Sequence, residues 1–155
     1  MRQKHRLNAL KKQKRYYSGK KKRHTLKTQV VINKANRQIL AIDCCAGKVH
    51  DFKLFKSSRL GLNRGIECVC DSAYLGIFKV HAYARIPKKS SKLKPLTVVE
   101  KLYNWALAKE RVVNEWVIGI LKRFRILAER YRNRRKRFHL RFSLIAGIYN
   151  FELAQ

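Results

Sequence analysis

Acidic side chains are scarce in this sequence, so each one is a candidate for chemistry. The 155 residues include nine Asp and Glu against 38 Lys and Arg. The aspartates are Asp43, Asp51 and Asp71, and Asp71 directly follows the apolar stretch 67–70 (ECVC). A carboxylate at the carboxyl end of a buried strand lies where α/β sheets place their ligands. An aspartate that only opens a turn before the glycine of Asp-Ser-Ala-Tyr-Leu-Gly would give the same pattern, so both interpretations stay open.

A second candidate acid, Glu115, lies in a segment with helical periodicity. Arg111 precedes it by four residues and Lys122 follows it by seven. At about 100° per residue these three side chains fall on one helix face, which would suit a functional site. An Arg and a Glu four residues apart also form an ordinary helix ion pair, which contributes only about 0.2–0.5 kcal/mol. Spacing alone does not separate these two interpretations.

The neighbouring residues His50 and Asp51 allow two interpretations as well. They could be a pair of ligands, or Asp51 could be the N-cap of a short helix, because Asp is among the preferred N-cap residues. The sequence contains no G-x-S-x-G segment and no glycine-rich phosphate loop, so it gives little support to serine hydrolase or P-loop chemistry.

The four cysteines form a Cys-Cys pair, Cys44 and Cys45, and a Cys-x-Cys pair, Cys68 and Cys70. Neither pair has the C-x-x-C spacing of a zinc ribbon. We therefore expect buried or half-buried free thiols in a reducing, cytoplasmic compartment, with zinc binding as the alternative. The sequence has no apolar run of the roughly 20 residues that a spanning helix needs, and its basic start without an apolar h-region leads us to expect no secretory leader.

The net charge of +29 favours a polyanionic partner. Residues 1–27 hold twelve Lys and Arg and no acid, and residues 121–141 hold ten with one acid. So many like charges repel one another unless a polyanion is bound, and nucleic acid is the default, with an anionic membrane as the lesser alternative. The candidate nucleic-acid contacts are Lys20, Lys21, Lys22, Arg23, His24, Arg132, Arg134, Arg135 and Lys136.

The first half of the chain has the pattern of a strand hairpin followed by a helix. The β-branched stretch 24–32 and the stretch 38–45 are typical of paired strands, with a turn at 33–37. A short helix is predicted at 51–57. Short strands are predicted at 67–70 and 81–86.

The second half has helical patterns. Thr97 and Glu100 form a capping-box signature, and the predicted helix continues to about Arg130 with Val113, Trp116, Ile120, Phe124 and Leu127 as its apolar stripe. Residues 140–153 predict a last helix. Together the elements predict one α/β domain with a mixed sheet and packed helices.

Several of these segments together resemble bacterial insertion-sequence transposases of the DDE superfamily. The resemblance is carried, in the family's order, by Tyr17–Lys27, Gly47–Phe52, Asp71–Gly76, Arg111–Leu127 and Tyr131–Leu153. It covers nearly the whole chain and is far more specific than any one motif.

The resemblance implies a ribonuclease-H-like fold and DNA transposition by metal-dependent strand cleavage and transfer. In such enzymes two Asp and one Glu hold two divalent ions, normally magnesium, which suits carboxylate chemistry and phosphoryl transfer. Asp71 matches the second acid, Glu115 the third, and Arg111 and Lys122 the cations that accompany the third. The implied partners are transposon ends and target DNA, in the bacterial cytoplasm at the nucleoid, with a homo-oligomer or a complementing transposase chain as a further possibility.

The sequence departs from the family pattern at three places. Ala108 replaces a Tyr, and Trp116 replaces a His. The first acid belongs in an Asp-x-Thr-Glu segment before Tyr17, yet residues 2–15 contain no carboxylate. We therefore expect residues 1–155 to be the C-terminal part of a truncated catalytic domain that lacks its first strand and first acid. The alternative is a non-catalytic basic nucleic-acid-binding protein.

Overall fold

A computed structural model describes residues 2–6, 16–58, 60–63 and 65–155 as a mixed α/β structure. Within these residues there are six strands, four α-helices and several short 3-10 turns. In chain order the elements are β1 (Arg2–Arg6), β2 (Tyr17–Ser18), β3 (Arg23–Ile32), β4 (Ile39–Ala46), α1 (Asp51–Ser57), β5 (Cys68–Val69), β6 (Ala84–Arg85), α2 (Val98–Leu121), α3 (Arg125–Ala128) and α4 (Phe138–Leu153).

The predicted hairpin is confirmed, and β3 is its longer strand. β3 and β4 pair antiparallel from Leu26 opposite Ala46 to Ile32 opposite Ile39, with an irregularity between Val31 and Ile32. The β-branched residues of β3 favour the extended backbone and pack against the helices behind it. This strand is the element around which the sheet is built.

The other edge of β3 is paired over part of its length. β1 runs antiparallel to it, with Arg2 opposite Gln29 and Arg6 opposite Thr25, and β2 pairs beyond it at residues 23–24. The sequence analysis predicted no strand before residue 23, because this basic segment has no alternating apolar pattern. Residues 1 and 7–15 of the first basic block lie outside the described residues.

A separate two-stranded sheet carries the segment that ends at Asp71. β5 and β6 are parallel, with Cys68 opposite Ala84 and Val69 opposite Arg85. A small apolar core of Tyr74 and Ile77 lies beneath it. The predicted strands at 67–70 and 81–86 are therefore confirmed in place, although each pairs over only two residues.

Helix α2 begins as predicted and ends earlier than predicted. Thr97 and Glu100 form the reciprocal capping box. The helix ends at Leu121 rather than near Arg130, since the extended backbone of Phe124 separates it from the short helix α3. This break turns the chain so that Leu127 lies in the main core.

The apolar stripe predicted for this segment is wrong at Trp116. Trp116 remains 45% exposed, and the buried side chains of α2 are Leu107, Val117, Ile118 and Leu121. The indole stacks instead beneath the guanidinium of Arg37, at 4.6 Å from the ring centroid, which stabilises it at the surface.

The main core lies between the large sheet and helices α2 and α4. Phe138 and Phe142 of α4 are fully buried against Val30 of β3 and Val117 of α2. The predicted core position Ile148 is 38% exposed, whereas Tyr149 is buried and donates a hydrogen bond to the Arg37 carbonyl. No helix in the described part of the chain is long and apolar enough to cross a membrane.

Candidate functional site

Asp71 stands at the end of β5, in a loop that is anchored to the large sheet. A 3-10 turn, Ser72–Tyr74, follows it directly. The Tyr74 ring is buried edge-on against Phe55, and its hydroxyl donates a hydrogen bond of 3.2 Å to Oε1 of Gln29 on β3. The tyrosine three residues after Asp71 therefore fixes the position of the acid relative to β3.

Gly76 closes the same loop with a conformation that favours glycine. Its φ is +95°, a region that residues with a Cβ rarely adopt. A Cβ added there would also lie 3.1 Å from the ring of Phe52 on α1. Tyr74 and Gly76 therefore both constrain the conformation of the Asp-Ser-Ala-Tyr-Leu-Gly segment.

Arg111 connects the long helix α2 to Asp71 through an ion pair. Its guanidinium lies 3.9 Å from Oδ2 of Asp71, and both side chains are about one quarter exposed. The ion pair of Arg111 is therefore with Asp71 rather than with Glu115, which argues against the ordinary helix ion pair. Glu115 lies one turn further along α2 and is exposed, and Lys122 is the exposed C-cap residue of the same helix.

Glu110, which the sequence analysis did not single out, connects α2 to both sheets. Its Oε2 accepts hydrogen bonds from Nζ of Lys34 at 2.9 Å and from the Arg85 guanidinium at 2.5 Å. Arg85 of β6 also pairs with Glu67 at 2.7 Å. The bond from Lys34, together with that from Arg85, lowers the pKa of Glu110 below its usual value. Glu110 therefore helps to set the position of Arg111, the next residue.

Asp51 is held in a buried ion pair rather than presented as a ligand. Nζ of Lys27 on β3 lies 2.9 Å from Oδ1 of Asp51, and both side chains are about 95% buried. The N-cap of α1 is His50, whose Nδ1 accepts from the Phe52 amide, and Asp51, which was expected at or near the N-cap, is the first residue of the helix.

The described residues contain no group of three or more His, Cys, Asp or Glu side chains that could hold a metal ion. Of the two candidate acids, Asp71 pairs with Arg111, and Glu115 is exposed one helical turn further along α2. Two divalent ions need more oxygen ligands and more negative charge than two carboxylates supply. The residues present do not by themselves fit a two-ion site.

All four cysteines are free thiols, as predicted. Sγ of Cys68 and Sγ of Cys70 lie 3.5 Å apart, and the hydrogen bond from Cys70 lowers the pKa of Cys68 to about 7. The same bond raises the pKa of Cys70. Burial raises the pKa of Cys44 to about 12 and of Cys45 to about 11.

The two basic blocks meet at one surface. The guanidinium of Arg135 stacks over the ring of Tyr16, at 4.5 Å from its centroid, and the Tyr17 ring lies edge-on to His24. Neighbouring cations of both blocks are exposed to solvent. They are Lys20, Lys21, Lys22, Arg23, Arg132, Arg134 and Lys136. The aromatic contact therefore joins two clusters that are distant in sequence.

Comparison of the sequence with known proteins identifies the family of this chain. The profile of the DDE superfamily endonucleases matches residues 3–150. A probable transposase for insertion sequence element IS702 from Microchaete diplosiphon is 46% identical over 144 residues, which are 93% of this chain and 52% of that protein. The chain thus spans about half the length of this curated relative. No solved structure matches it significantly.

Proposed function

The chain belongs to the DDE superfamily endonuclease family, and on this premise we propose that its function is DNA transposition by metal-dependent strand cleavage and transfer. The observation that carries the proposal is the ion pair between Asp71 and Arg111. It joins the acid that ends β5 to the helix that carries Glu115. In the ribonuclease-H-like arrangement that we propose, these are the second and third acids of the site.

The proposed partner is DNA, both the transposon ends and the target. The stacking of Tyr16 and Arg135 joins the two basic blocks, and the cations near it in sequence are exposed to solvent. Guanidinium and ammonium groups at such a surface bind the phosphate backbone and release its counterions. The same interpretation places the protein in the bacterial cytoplasm, at the nucleoid.

Each site residue has a distinct proposed role. The Asp71 and Glu115 carboxylates are acceptors for cations, and Arg111 positions the Asp71 carboxylate and neutralises part of its charge. Lys122, at the exposed end of α2, contacts a DNA phosphate. Divalent ions would be held by Asp71, Glu115 and a third acid, and they would supply the Lewis acidity that favours attack by water or by a DNA 3′-hydroxyl. Because this chain supplies two acids where that site needs three, we propose that a further segment must provide the first acid before cleavage occurs.

The experiment that tests these roles restores the missing acid. The chain is made with an N-terminal extension that carries an Asp-x-Thr-Glu strand, and nicking of supercoiled plasmid is measured with Mg²⁺. We expect nicking by the extended protein and its loss in both Asp71→Ala and Glu115→Ala. The matched control is Glu129→Ala, which removes an exposed glutamate on another segment and should leave nicking unchanged.

Retention of nicking in Glu115→Ala would contradict the assignment of the third acid. Retention in Asp71→Ala would contradict the whole site. Loss in the Glu129→Ala control would show that the assay reports net charge or folding rather than the two proposed ligands.

A further inference from the structure

Two cysteines with adjacent sulfur atoms stand directly before the candidate acid Asp71. Cys68 lies on β5, and Cys70 follows the last residue of that strand. Residues two positions apart in an extended segment have their side chains on the same face. The Sγ atoms of Cys68 and Cys70 are accordingly only 3.5 Å apart. Neither thiol has a role in the proposed cleavage reaction, so that reaction does not explain their contact.

The geometry of the pair suits a disulfide. Two residues along an extended segment rise about 6.6–6.8 Å, which lies at the upper end of the Cα separations that disulfides span. The two Sγ atoms need only approach each other from 3.5 Å to about 2.05 Å. A bond between them therefore needs a small contraction of the chain at residues 68–70 and no partner from another element.

Cys68 is the more reactive of the two thiols. The hydrogen bond from Cys70 lowers the pKa of Cys68 to about 7, and His81 makes a smaller electrostatic contribution in the same direction. The same hydrogen bond raises the pKa of Cys70. Because the thiolate is the nucleophile, Cys68 is the thiol that reacts first with an oxidant, and Cys70 is in place to react second.

A small molecule can reach both sulfur atoms. Cys68 is partly exposed, and Cys70 retains 8% of its exposure. Both residues line a cavity of about 630 Å³ that also borders β3. A cavity of this size admits a molecule as small as hydrogen peroxide.

A metal site suits the pair less well than a redox reaction. Structural zinc sites use four ligands, with thiolates and imidazoles as the usual donors. In the described ranges of the chain, no three His, Cys, Asp or Glu side chains are grouped so that they could hold a metal ion. The ring of the nearby His81 is already used, because its Nε2 lies 2.6 Å from the Ile66 carbonyl oxygen.

We propose that Cys68 and Cys70 form a reversible redox pair that hydrogen peroxide oxidises to an intramolecular disulfide. The Cys68 thiolate attacks one peroxide oxygen, the O–O bond breaks, and the released hydroxide takes up the proton that the thiol lost, which gives water and a Cys68 sulfenic acid. Sγ of Cys70 then attacks Sγ of Cys68. The S–S bond forms as the S–O bond breaks, and the hydroxyl group leaves as water with the Cys70 proton.

The two thiols together lose two electrons in this reaction, and the peroxide gains them. A dithiol reductant reverses it by thiol–disulfide exchange. The proposal goes beyond the proposed function, because neither DNA nor a divalent ion takes part in the oxidation.

The disulfide affects the candidate site through Asp71, the residue after Cys70. Oδ2 of Asp71 lies 3.9 Å from the Arg111 guanidinium, which is close to the longest separation of an ion pair. A contraction at residues 68–70 displaces Asp71 relative to α2 and weakens this contact. Oxidation of the pair therefore changes the position of a candidate acid.

The test uses the full 155-residue chain, first reduced and then freed of reductant. The chain is exposed to hydrogen peroxide near neutral pH, and the remaining thiols are blocked with iodoacetamide. Trypsin releases both cysteines in one peptide, residues 65–79. We expect mass spectrometry to show this peptide without alkylation and lighter by the two thiol hydrogens. Dithiothreitol added before the blocking step should restore alkylation at both cysteines.

Two variants identify the partners of the bond. Cys70→Ala should lose the disulfide, and dimedone, which traps sulfenic acids, should then label Cys68. Cys45→Ala is the matched control, because it removes a thiol of β4 and should leave the disulfide unchanged. Far-UV spectra check that both variants keep the fold. In ¹H–¹⁵N spectra of the unaltered chain, oxidation should shift the amide signals of Asp71 and Ser72 and leave those of α4 in place.

Three results would overturn the proposal. The unaltered chain could keep both thiols of residues 65–79 while peroxide oxidises other residues. It could accumulate the dimedone adduct at Cys68 in place of the disulfide. The disulfide could also disappear in Cys45→Ala, which would show that Cys45 is one of its partners. An Asp71 amide signal that does not shift on oxidation would contradict the effect on the candidate site.

Discussion

At the scale of single residues, the buried pair of Lys27 and Asp51 is the interaction with the largest expected effect on stability. Removing one partner of a buried ion pair leaves an uncompensated charge and typically costs about 3–5 kcal/mol. We therefore expect Asp51→Ala to lower the free energy of unfolding by about that amount in urea denaturation. Glu129→Ala, which removes an exposed pair with Arg125, should cost less than about 1 kcal/mol.

The double variant Lys27→Met, Asp51→Ala should recover part of the loss, because no lone charge then remains buried. A cost below about 1 kcal/mol for Asp51→Ala alone would contradict the buried pair. It would also reopen Asp51 as a substitute carboxylate for the proposed site.

The thiol of Cys68 gives a second test at the residue scale. The thiolate is the reactive form, and the hydrogen bond from Cys70 lowers the pKa of Cys68 to about 7. Alkylation by iodoacetamide, followed by mass spectrometry, should therefore rise with pH around a midpoint near 7 at Cys68. Cys44 and Cys45 should react only at far higher pH, since burial raises the pKa of both.

The variant Cys70→Ala removes the donor and should shift the Cys68 midpoint upward, toward the ordinary value of 9.0. A midpoint of Cys68 that is already near 9 in the unaltered chain, or that does not move in Cys70→Ala, would contradict the hydrogen bond.

At the scale of elements, the start of α2 depends on its capping box. Thr97 Oγ1 accepts from the Glu100 amide at 3.2 Å, and the Glu100 carboxylate accepts from the Thr97 amide at 3.0 Å. Thr97→Ala should lower the free energy of unfolding by about 1 kcal/mol. Ser90→Ala, in the exposed loop before the helix, should change it by less than about 0.5 kcal/mol. Equal effects of the two variants in urea denaturation would contradict the role of the cap.

Local patterns in the sequence were sufficient to predict several elements. The β-branched run of β3, the Thr97 and Glu100 spacing of α2, and the apolar spacing of α4 each act within a few residues. The end of α2 was not predictable in this way, because the extended backbone at Phe124 interrupts a pattern that would continue as helix to Leu127. Strand β1 was also missed, since its pairing with β3 depends on a distant partner rather than on its own residues.

The candidate site could be predicted in part for the same reason. Short-range spacing singled out Asp71, Arg111 and Glu115 as candidates, and the family resemblance then implied their roles. Glu110 and its partners Lys34 and Arg85 were missed, because these three come together only when both sheets pack against α2. Long-range ion pairs have no fixed spacing, so no periodic signal in the sequence would have indicated them.

At the scale of the whole molecule, the charge of +29 predicts DNA binding with a steep dependence on salt. If the chain contacts about six phosphates, log K against log salt should have a slope near about −5. Neutralising Arg132, Arg134, Arg135 and Lys136 together should flatten that slope, because up to four of those contacts are removed.

The matched control removes the same charge from the exposed loop before α2, at Lys88, Lys89, Lys92 and Lys94. This second variant should keep a slope closer to that of the unaltered chain. The slope could instead stay the same after the first set of changes, or become shallower by the same amount in both variants. Either result would show that the cations of residues 132–136 are not part of the DNA interface.

The most direct test of the account is the behaviour of the unextended 155-residue chain with Mg²⁺ and supercoiled plasmid. The proposed site has Asp71 and Glu115 as its acids, and the other two aspartates have partners, Lys27 for Asp51 and the Cys44 amide for Asp43. The account predicts that the chain binds the plasmid and leaves it unnicked over the time in which the extended protein converts it to open circles. Nicking by the unextended chain that disappears in Asp71→Ala would contradict it.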